Sequence, residues 1–333
     1  MIGRKLHQRD PEVISTRILE TLVSYLGHSS ENEVYGNRRI FCEYAGVDSR
    51  SLVFGRIQHG WIHMNNQRTL IKNDLVDTYL WSNNSRQFCI NRGLSRIHSI
   101  GSPWLYLLEI SKRLGWGINL NNDSERNLDE LWIYGAHSTI TPTDNLDVQL
   151  QDFLEAANKS QAKSKSVLLY YVDYFHLNHD AKSKYPNLQI LTALGGRLHS
   201  STADAHLYIL YWLLNNCKTV VFDVPTSALL YAVTMDCKIS WHKNSNHKAI
   251  LSDSIMRNDD FLTALMSFEG APSQMIKVGV GAELGFESLK TPEEIRQLFN
   301  WNRSKNSKFR GLYKSFYYLC TLPFKLGTLR AKA

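Results

Sequence analysis

Short apolar runs alternate with segments of helical periodicity along most of the chain. Eight runs rich in β-branched and aromatic residues predict strands, and most of them end in a Gly-, Ser- or Pro-rich turn before a helical segment. The predicted strands span residues 51–57, 74–82, 96–100, 131–134, 166–172, 188–194, 219–224 and 238–241. Such alternation is typical of doubly wound parallel sheets, so we expect an α/β protein.

The segments outside these strands predict the helices. Residues 12–26 repeat apolar side chains at about 3.6-residue spacing, and further helices are predicted at 86–94, 104–114, 145–157 and 204–215 and from Pro225 onward. The polar segment 158–166 predicts a linker, after which the alternation restarts. Two such halves form a cleft at the carboxyl ends of their strands, where α/β folds bind ligands.

The excess positive charge of the chain lies at its C-terminal end. Apolar residues make up 43% of the sequence, which excludes a disordered or collagen-like protein. The net charge is +7, yet residues 295–333 hold nine basic and no acidic side chains, and the remainder is nearly neutral with 29 basic and 31 acidic residues. Aromatic residues interleave with these charges from Trp301 onward. We predict that this tail binds an anionic membrane surface, in preference to packing on the body or binding nucleic acid.

Several sequence signatures are absent. There is no apolar stretch of about 20 residues, no apolar signal-peptide centre near the start, and no CxxC pair among the five cysteines. We therefore expect a cytoplasmic protein, peripheral on the inner face of the plasma membrane, with no metal site. GxxxxGK(S/T), HExxH and GxSxG motifs are also missing, and the glycine-rich segment 279–285 predicts a turn rather than a phosphate loop.

The segment 223–231 carries the clearest chemical signal. An apolar strand runs into Pro225, which can open a helix, and Thr226 and Ser227 then lie in the first turn. The free backbone N–H groups and the helix dipole favour an anion there, and two hydroxyls add donors, which predicts a phosphate site. The alternative is that one of the two hydroxyls merely caps the helix.

Other candidate residues follow predicted strands. His59 is predicted to face the cleft as a general base or phosphate ligand, or else to be a structural loop histidine. His137, Ser138 and Thr139 hold the equivalent place after a later strand and predict a polar wall of the cleft.

Two further segments in the second half are candidates. Asp173 ends an apolar run and is either a base or nucleophile, or a turn aspartate. The loop with Arg197, Ser200 and Ser201 is predicted to contact a phosphate or sugar, or else is a plain surface loop.

The order of these motifs resembles bacterial GT-B glycosyltransferases that make surface polysaccharide. The closest likeness is to the Kdo- and nonulosonate (CMP-sugar) transferase-like and CDP-glycerol-transferase-like groups. It rests on short motifs within residues 50–242, namely Gly55-Arg-Ile-Gln-His-Gly-Trp61, Leu80-Trp-Ser82, Ile97-His-Ser-Ile-Gly-Ser-Pro103, Val220-Val-Phe-Asp-Val-Pro-Thr-Ser-Ala-Leu-Leu-Tyr231 and Lys238-Ile-Ser240.

This resemblance implies two Rossmann-like domains facing a central cleft. Residues 1–160 would form the acceptor-side domain, 161–300 the nucleotide-sugar donor domain, and 301–333 a basic aromatic helical tail. It implies transfer of a sugar, without metal or cofactor, from a nucleotide donor to a lipopolysaccharide or capsule acceptor, with no nucleic-acid partner. A CDP-polyol phosphotransferase of the same fold and a non-catalytic assembly partner are the alternatives.

The resemblance also suggests roles for the candidate residues. Thr226 and Ser227 would hold the donor phosphate, and His137 would line the acceptor side. Asp173 would act in a retaining enzyme and His59 in an inverting one. The chain departs from the resemblance in lacking, in its second half, the His-Pro pair of several CMP-sialic acid transferases. It also lacks the Glu-rich ribose motif common in UDP- and GDP-sugar enzymes, and this second absence favours a CMP- or CDP-linked donor.

Overall fold

The first part of the chain forms a small parallel sheet. The computed structural model describes residues 30–61, 77–116, 125–135, 146–170, 173–174, 177, 184–193 and 205–301. The sheet has the order β1-β2-β3, with β1 (Arg56–Ile57), β2 (Thr78–Leu80) and β3 (Ile97–Ser99). It is flanked by a 3-10 segment (Ser30–Gly36) and helices α1 (Asn37–Ala45), α2 (Asn83–Ile90) and α3 (Pro103–Leu114). The predicted helix at 12–26 and the tail beyond Trp301 lie outside the described residues.

A second, five-stranded sheet follows, and all its neighbouring strands are parallel. Its order is β6-β5-β4-β7-β8, so the order reverses between β4 and β7. The strands are β4 (Leu128–Ile133), β5 (Lys165–Tyr170), β6 (Gln189–Ala193), β7 (Cys217–Phe222) and β8 (Lys238–Trp241), and the helices between them are α4 (Leu146–Lys159), α5 (His206–Asn216) and α6 (Ser227–Thr234). Each of the eight predicted strands therefore overlaps a strand, and the fold is α/β and Rossmann-like.

The predicted division at residue 160 runs through this second sheet. Strand β4 lies at its centre, paired with β5 on one side and β7 on the other. The segment 158–166, predicted as a linker, is the short α4–β5 connection, in which Lys165 Nζ donates to the carbonyl oxygens of Asn158 (2.8 Å) and Ser160 (2.7 Å). A short polar loop and a linker have the same composition, and the strand pattern does not say which sheet a strand joins.

The two faces of the five-stranded sheet pack against different layers. Leu131 and Ile133 of β4 face α5 and α6, whereas Trp132 and Tyr134 face α4, as strand alternation requires. The first face belongs to a core that continues into the three-stranded sheet. Trp104 of α3 stacks on Tyr231 of α6, with ring centroids 4.5 Å apart. Among the described residues, the two sheets therefore share one apolar core.

The chain returns to the first sheet through helices that the sequence pattern did not predict. These are α7 (Ser245–Met256), α8 (Asp260–Ser267), α9 (Gln274–Leu284) and α10 (Pro292–Leu298). After α10, Phe299 packs edge-on against Phe41 and Tyr79, and Trp301 Nε1 donates to the carbonyl of Leu52 at 2.8 Å. These contacts tie the end of the described chain to its beginning.

Residues 279–284 of the glycine-rich segment form the second half of helix α9, so the prediction of this segment as a turn was wrong. Aromatic rings occupy the space next to Gly279 and Gly281, and this explains why two helical positions are held by glycine. A Cβ on Gly279 would overlap the ring of Phe261, and one on Gly281 would lie 3.1 Å from Phe286. Close packing, not turn formation, therefore accounts for these two glycines.

Two expectations from composition concern membranes and thiols. Within the described residues, no helix combines the length and the apolar character needed to cross a membrane. The four cysteines in this part of the chain, Cys42, Cys89, Cys217 and Cys237, are buried free thiols.

Gly285 ends helix α9 at the point where α9 meets the first sheet. Its φ is +77°, in the left-handed region, and a Cβ at this position would overlap the carbonyl oxygen of Trp81 and lie 3.2 Å from the Cα of Gly101. Next to it, the N–H of Ser102 donates to the carbonyl of Leu284 at 2.8 Å. Backbone therefore meets backbone here with no space for a side chain.

We expect Gly285→Ala to lower the free energy of unfolding by about 2–5 kcal/mol, because left-handed strain adds to steric overlap. Gly46→Ala is the matched control, since Gly46 also ends a helix at positive φ (+67°) but has open space around it. The control should cost only about 1–2 kcal/mol. Urea unfolding of both variants measures the difference, and equal losses would contradict the close approach at Gly285.

Candidate functional site

The strand order of the second sheet reverses between β4 and β7, and we call the carboxyl ends of these two strands the β4–β7 switch point. One buried carboxyl group joins the two strand ends there. Asp223, which follows β7, is fully buried. Its Oδ1 accepts the N–H of Gly135 (2.7 Å), which follows β4, and the N–H of Val224 (2.9 Å). A Cβ on Gly135 would lie 2.5 Å from Thr226 Cγ2 and 2.8 Å from Val224 Cγ2. The two strand ends thus touch, and only glycine fits at the first of them.

Thr226 stands immediately before helix α6 but does not cap it. No side chain caps this helix, and Thr226 Oγ1 is buried without a hydrogen-bond partner in the part of the chain that the structure describes. The first N–H groups of a helix have no partners within the helix, and the helix dipole makes this end positive. The capping alternative is therefore wrong for Thr226, and its buried, unpartnered hydroxyl lies at a helix end of the kind that favours anions.

Ser227 has a different role from Thr226 in this structure. Its Oγ accepts the backbone N–H of Trp61 at 2.7 Å and also bonds with the Tyr231 hydroxyl. Burial raises the pKa of Tyr231 well above its usual range, so that hydroxyl stays protonated. The Ser227 hydroxyl therefore connects the loop after β1 with α6, and a ligand would have to share it with these partners.

His59 lies in the same loop, as the strand pattern predicts. It is exposed and precedes Gly60, whose Cβ position would be 3.5 Å from Ser227 Oγ. Tyr35 lies between two imidazoles, with ring-centroid distances of 6.4 Å to His59 and 4.8 Å to His206, the first residue of α5. Burial lowers the pKa of His206 to about 4, so this ring is neutral near pH 7.

Glu283 of helix α9 is a site residue that the sequence reasoning missed. Its Oε2 accepts the indole N–H of Trp61 at 2.7 Å, and Asn84, at the start of α2, also bonds to it. Burial raises the pKa of Glu283 more than these hydrogen bonds lower it, and the nearby acids Asp259 and Glu287 raise it further. A lone acid within an otherwise small and apolar stretch was the available signal, but the assignment of that stretch as a turn concealed it.

Asp173 follows β5 at the same carboxyl edge of the sheet and is buried. Strand β5 is next to β4, so Asp173 lies one strand away from Gly135. The remaining candidates, His137, Ser138, Thr139, Arg197, Ser200 and Ser201, lie outside the described residues. Among the described residues, no group of three or more acidic, His or Cys side chains is arranged to hold a metal ion.

Trp61 joins the two sets of residues that the structure brings together. Its main chain contacts Ser227 at the start of α6, and its indole contacts Glu283 in α9. One residue therefore links a helix end suited to an anion with a carboxyl group whose pKa is raised. A raised pKa and a helix end suited to an anion are features of acid–base and phosphate-transfer sites.

We expect Asp223→Ala to lower the free energy of unfolding by about 2–4 kcal/mol, because two buried N–H groups would lose their acceptor. Asp223→Asn keeps an oxygen that can accept from Gly135 and Val224, so its loss should be well below that of the alanine variant. Thermal and urea unfolding of both variants test this. Equal stability of the alanine variant and the wild type would show that the carboxyl group does not hold the strand ends.

Comparison with known proteins identifies no family for this chain. No protein-family model matches the sequence, and no curated protein is significantly similar to it. Its likeness to GT-B glycosyltransferases therefore remains a resemblance of short motifs.

Proposed function

We propose that this protein is a glycosyltransferase that takes its sugar from a nucleotide donor. The observation that carries the proposal is the arrangement at the β4–β7 switch point. There, Gly135 allows β4 to end against Thr226, whose buried hydroxyl has no partner among the described residues and lies at the positive end of α6. In Rossmann-like sheets the crevice at the switch point is the usual ligand site, and the N-terminus of a helix that begins there favours a phosphate.

A negatively charged leaving group can be stabilised there by fixed dipoles. As the bond from the sugar to the donor phosphate breaks, charge develops on the phosphate, and the first N–H groups of α6 and the Thr226 hydroxyl would hold that charge. Such a site needs no metal ion. The GT-B arrangement of two domains across a cleft, a CMP-activated nonulosonic or Kdo-type donor, and a lipopolysaccharide or capsule acceptor at the membrane are the finer parts of the proposal.

Glu283 is the acid–base residue that the geometry favours for the acceptor hydroxyl. A general base works best when its pKa lies near the working pH, and burial moves Glu283 in that direction. Its bond to Trp61 holds it beside the loop that contacts α6. His59 and Asp173, predicted as base or nucleophile from the sequence, remain alternative candidates, and their substitution by Gln and Asn in the same assay ranks the three.

Transfer from a panel of CMP-, CDP-, UDP- and GDP-linked donors tests the proposed activity. The expected result is turnover of one nucleotide class, with a product heavier than the acceptor by one sugar. A product that has gained phosphorus would identify a polyol phosphotransferase instead. Absence of both binding and turnover across the panel would favour a non-catalytic partner and would contradict the proposal.

We expect Thr226→Val to lower kcat/KM for the donor by about 10- to 150-fold, the effect of one hydrogen bond to a charged group. Valine has nearly the same shape as threonine and the hydroxyl has no partner among the described residues, so stability should be unchanged or higher. Thr192→Val in β6 is the matched control, because Thr192 Oγ1 is also buried and unpartnered among these residues. Equal activity of the Thr226 variant and the wild type would contradict the phosphate role.

We expect Glu283→Gln to lower kcat by about 10²- to 10⁴-fold with little change in KM for the donor. In the wild type, activity should be lost at acid pH with an apparent pKa above the ordinary glutamate range. This loss should be absent in the variant. Glu269→Gln is the control, because Glu269 is exposed and is not among the groups that shift the pKa of Glu283.

Stability supplies an independent readout for Glu283. Because the folded protein binds this proton more tightly than the unfolded chain does, the contribution of Glu283 is fully present below the unfolded pKa. That contribution is lost as pH rises through the folded pKa. Glu283→Gln should remove this part of the pH dependence of unfolding. A variant with wild-type kcat and an unchanged pH profile would exclude Glu283 as the acid–base residue.

A further inference from the structure

Tyr35 adopts a backbone conformation that a tyrosine rarely takes. Val34 (φ −58°, ψ 130°) and Tyr35 (φ 61°, ψ 7°) have the dihedral angles of the two central residues of a type II turn. The second of these positions requires a positive φ and is usually held by glycine or asparagine. A tyrosine is strained there, because its Cβ lies too close to the following carbonyl oxygen.

The surrounding structure holds this turn in place. Asn32, three residues before Tyr35, is buried, and its amide oxygen accepts the N–H of Ile57 at 2.7 Å. Its amide nitrogen donates to the carbonyl oxygens of Val53 (3.2 Å) and Gly55 (3.0 Å), and helix α1 begins two residues after Tyr35. Strained residues persist where their surroundings over-determine them, and they cluster at ligand sites. The turn therefore fixes the position of the Tyr35 ring.

The Tyr35 ring lies beside the proposed donor site. Its centroid is 6.4 Å from that of the His59 ring, and two residues after His59 the N–H of Trp61 bonds to Ser227 Oγ at the start of α6. Two residues span at most about 7 Å, so His59 is close to this helix end. Tyr35 is partly exposed and His59 is exposed, so a ligand can reach both rings from solvent.

An aromatic ring close to a phosphate site is suited to the base of a nucleotide. Every base has a flat π-face that stacks on aromatic side chains, and in a nucleotide one ribose separates the base from the phosphate. A phosphate at the start of α6 would therefore bring the base to the rings of Tyr35 and His59. The indole of Trp61, in the same loop as His59, instead bonds to Glu283.

We propose that Tyr35, with His59 beside it, is the platform on which the base of the nucleotide donor stacks. Because this platform is part of the donor site, it rests on the proposed function. The turn fixes the Tyr35 ring before the ligand binds, so less side-chain freedom is lost on binding. Stacking does not read the hydrogen-bonding pattern of a base, so Tyr35 supplies affinity for nucleotides rather than a choice among them.

Binding of CMP, UMP, GMP and ribose 5-phosphate to the full chain tests the proposal, because ribose 5-phosphate has the sugar and the phosphate but no base. Calorimetry should show that at least one nucleotide binds about 5- to 150-fold more tightly than ribose 5-phosphate, the effect of one stacked base. Tyr35→Leu should remove this difference and leave the affinity for ribose 5-phosphate unchanged. Tyr35→Phe, which retains the ring, should keep the difference. Thr226→Val should weaken the binding of both kinds of compound.

Thermal unfolding checks that the variants fold. Should Tyr35→Leu fail to fold, Tyr35→Gly replaces it, because glycine is the usual residue at this turn position, and it should lose the same difference in affinity. A wild type that binds no nucleotide would overturn the base platform and would also contradict the proposed function. Nucleotide binding no tighter than ribose 5-phosphate binding, or unchanged in the folded Leu or Gly variant, would overturn the platform alone. A loss in Tyr35→Phe as large as that in Tyr35→Gly would also overturn it, since the ring would then not be the group that binds.

Discussion

The buried carboxyl group of Asp223 holds the strand ends around which the candidate site is built. By accepting the N–H groups of Gly135 and Val224, it fixes the end of β4 against the segment that leads into α6. This contact places Thr226 beside Gly135 and sets the direction in which α6 leaves the sheet. This contact lies where the strand order of the sheet reverses, which is the place where open α/β sheets bind their ligands.

Helix α6 connects this point with the rest of the molecule. Its first residue bonds to the loop after β1, its middle stacks Tyr231 on Trp104, and Thr234 near its end accepts the Trp104 indole N–H at 2.8 Å. A short helix of only eight residues is unstable alone, so these tertiary contacts must stabilise it. The same contacts join the two sheets into one core.

Sequence reasoning succeeded where the signal was local. The eight strands and helices α2 to α6 follow from apolar periodicity and turn residues, and Thr226 and His59 were expected at strand ends, where the structure places them. Prediction from the sequence failed where the structure of a segment depends on contacts with residues distant in the chain. The loop at 158–166 has the composition of a linker, and Gly279 and Gly281 suggest a turn until Phe261 and Phe286 are seen against them.

The sequence by itself determined the α/β class, the order of the strands along the chain and the polar residues that follow them, because these depend on neighbours within a few positions. Only the tertiary structure decided that β4 joins the second sheet, that Ser227 bonds to Trp61 while Thr226 has no described partner, and that the partly buried Glu283 bonds to the Trp61 indole. The physical reason is that pairing, burial and desolvation arise between segments tens to hundreds of residues apart. No local pattern of residue types specifies which distant backbone or side chain will complete a given contact.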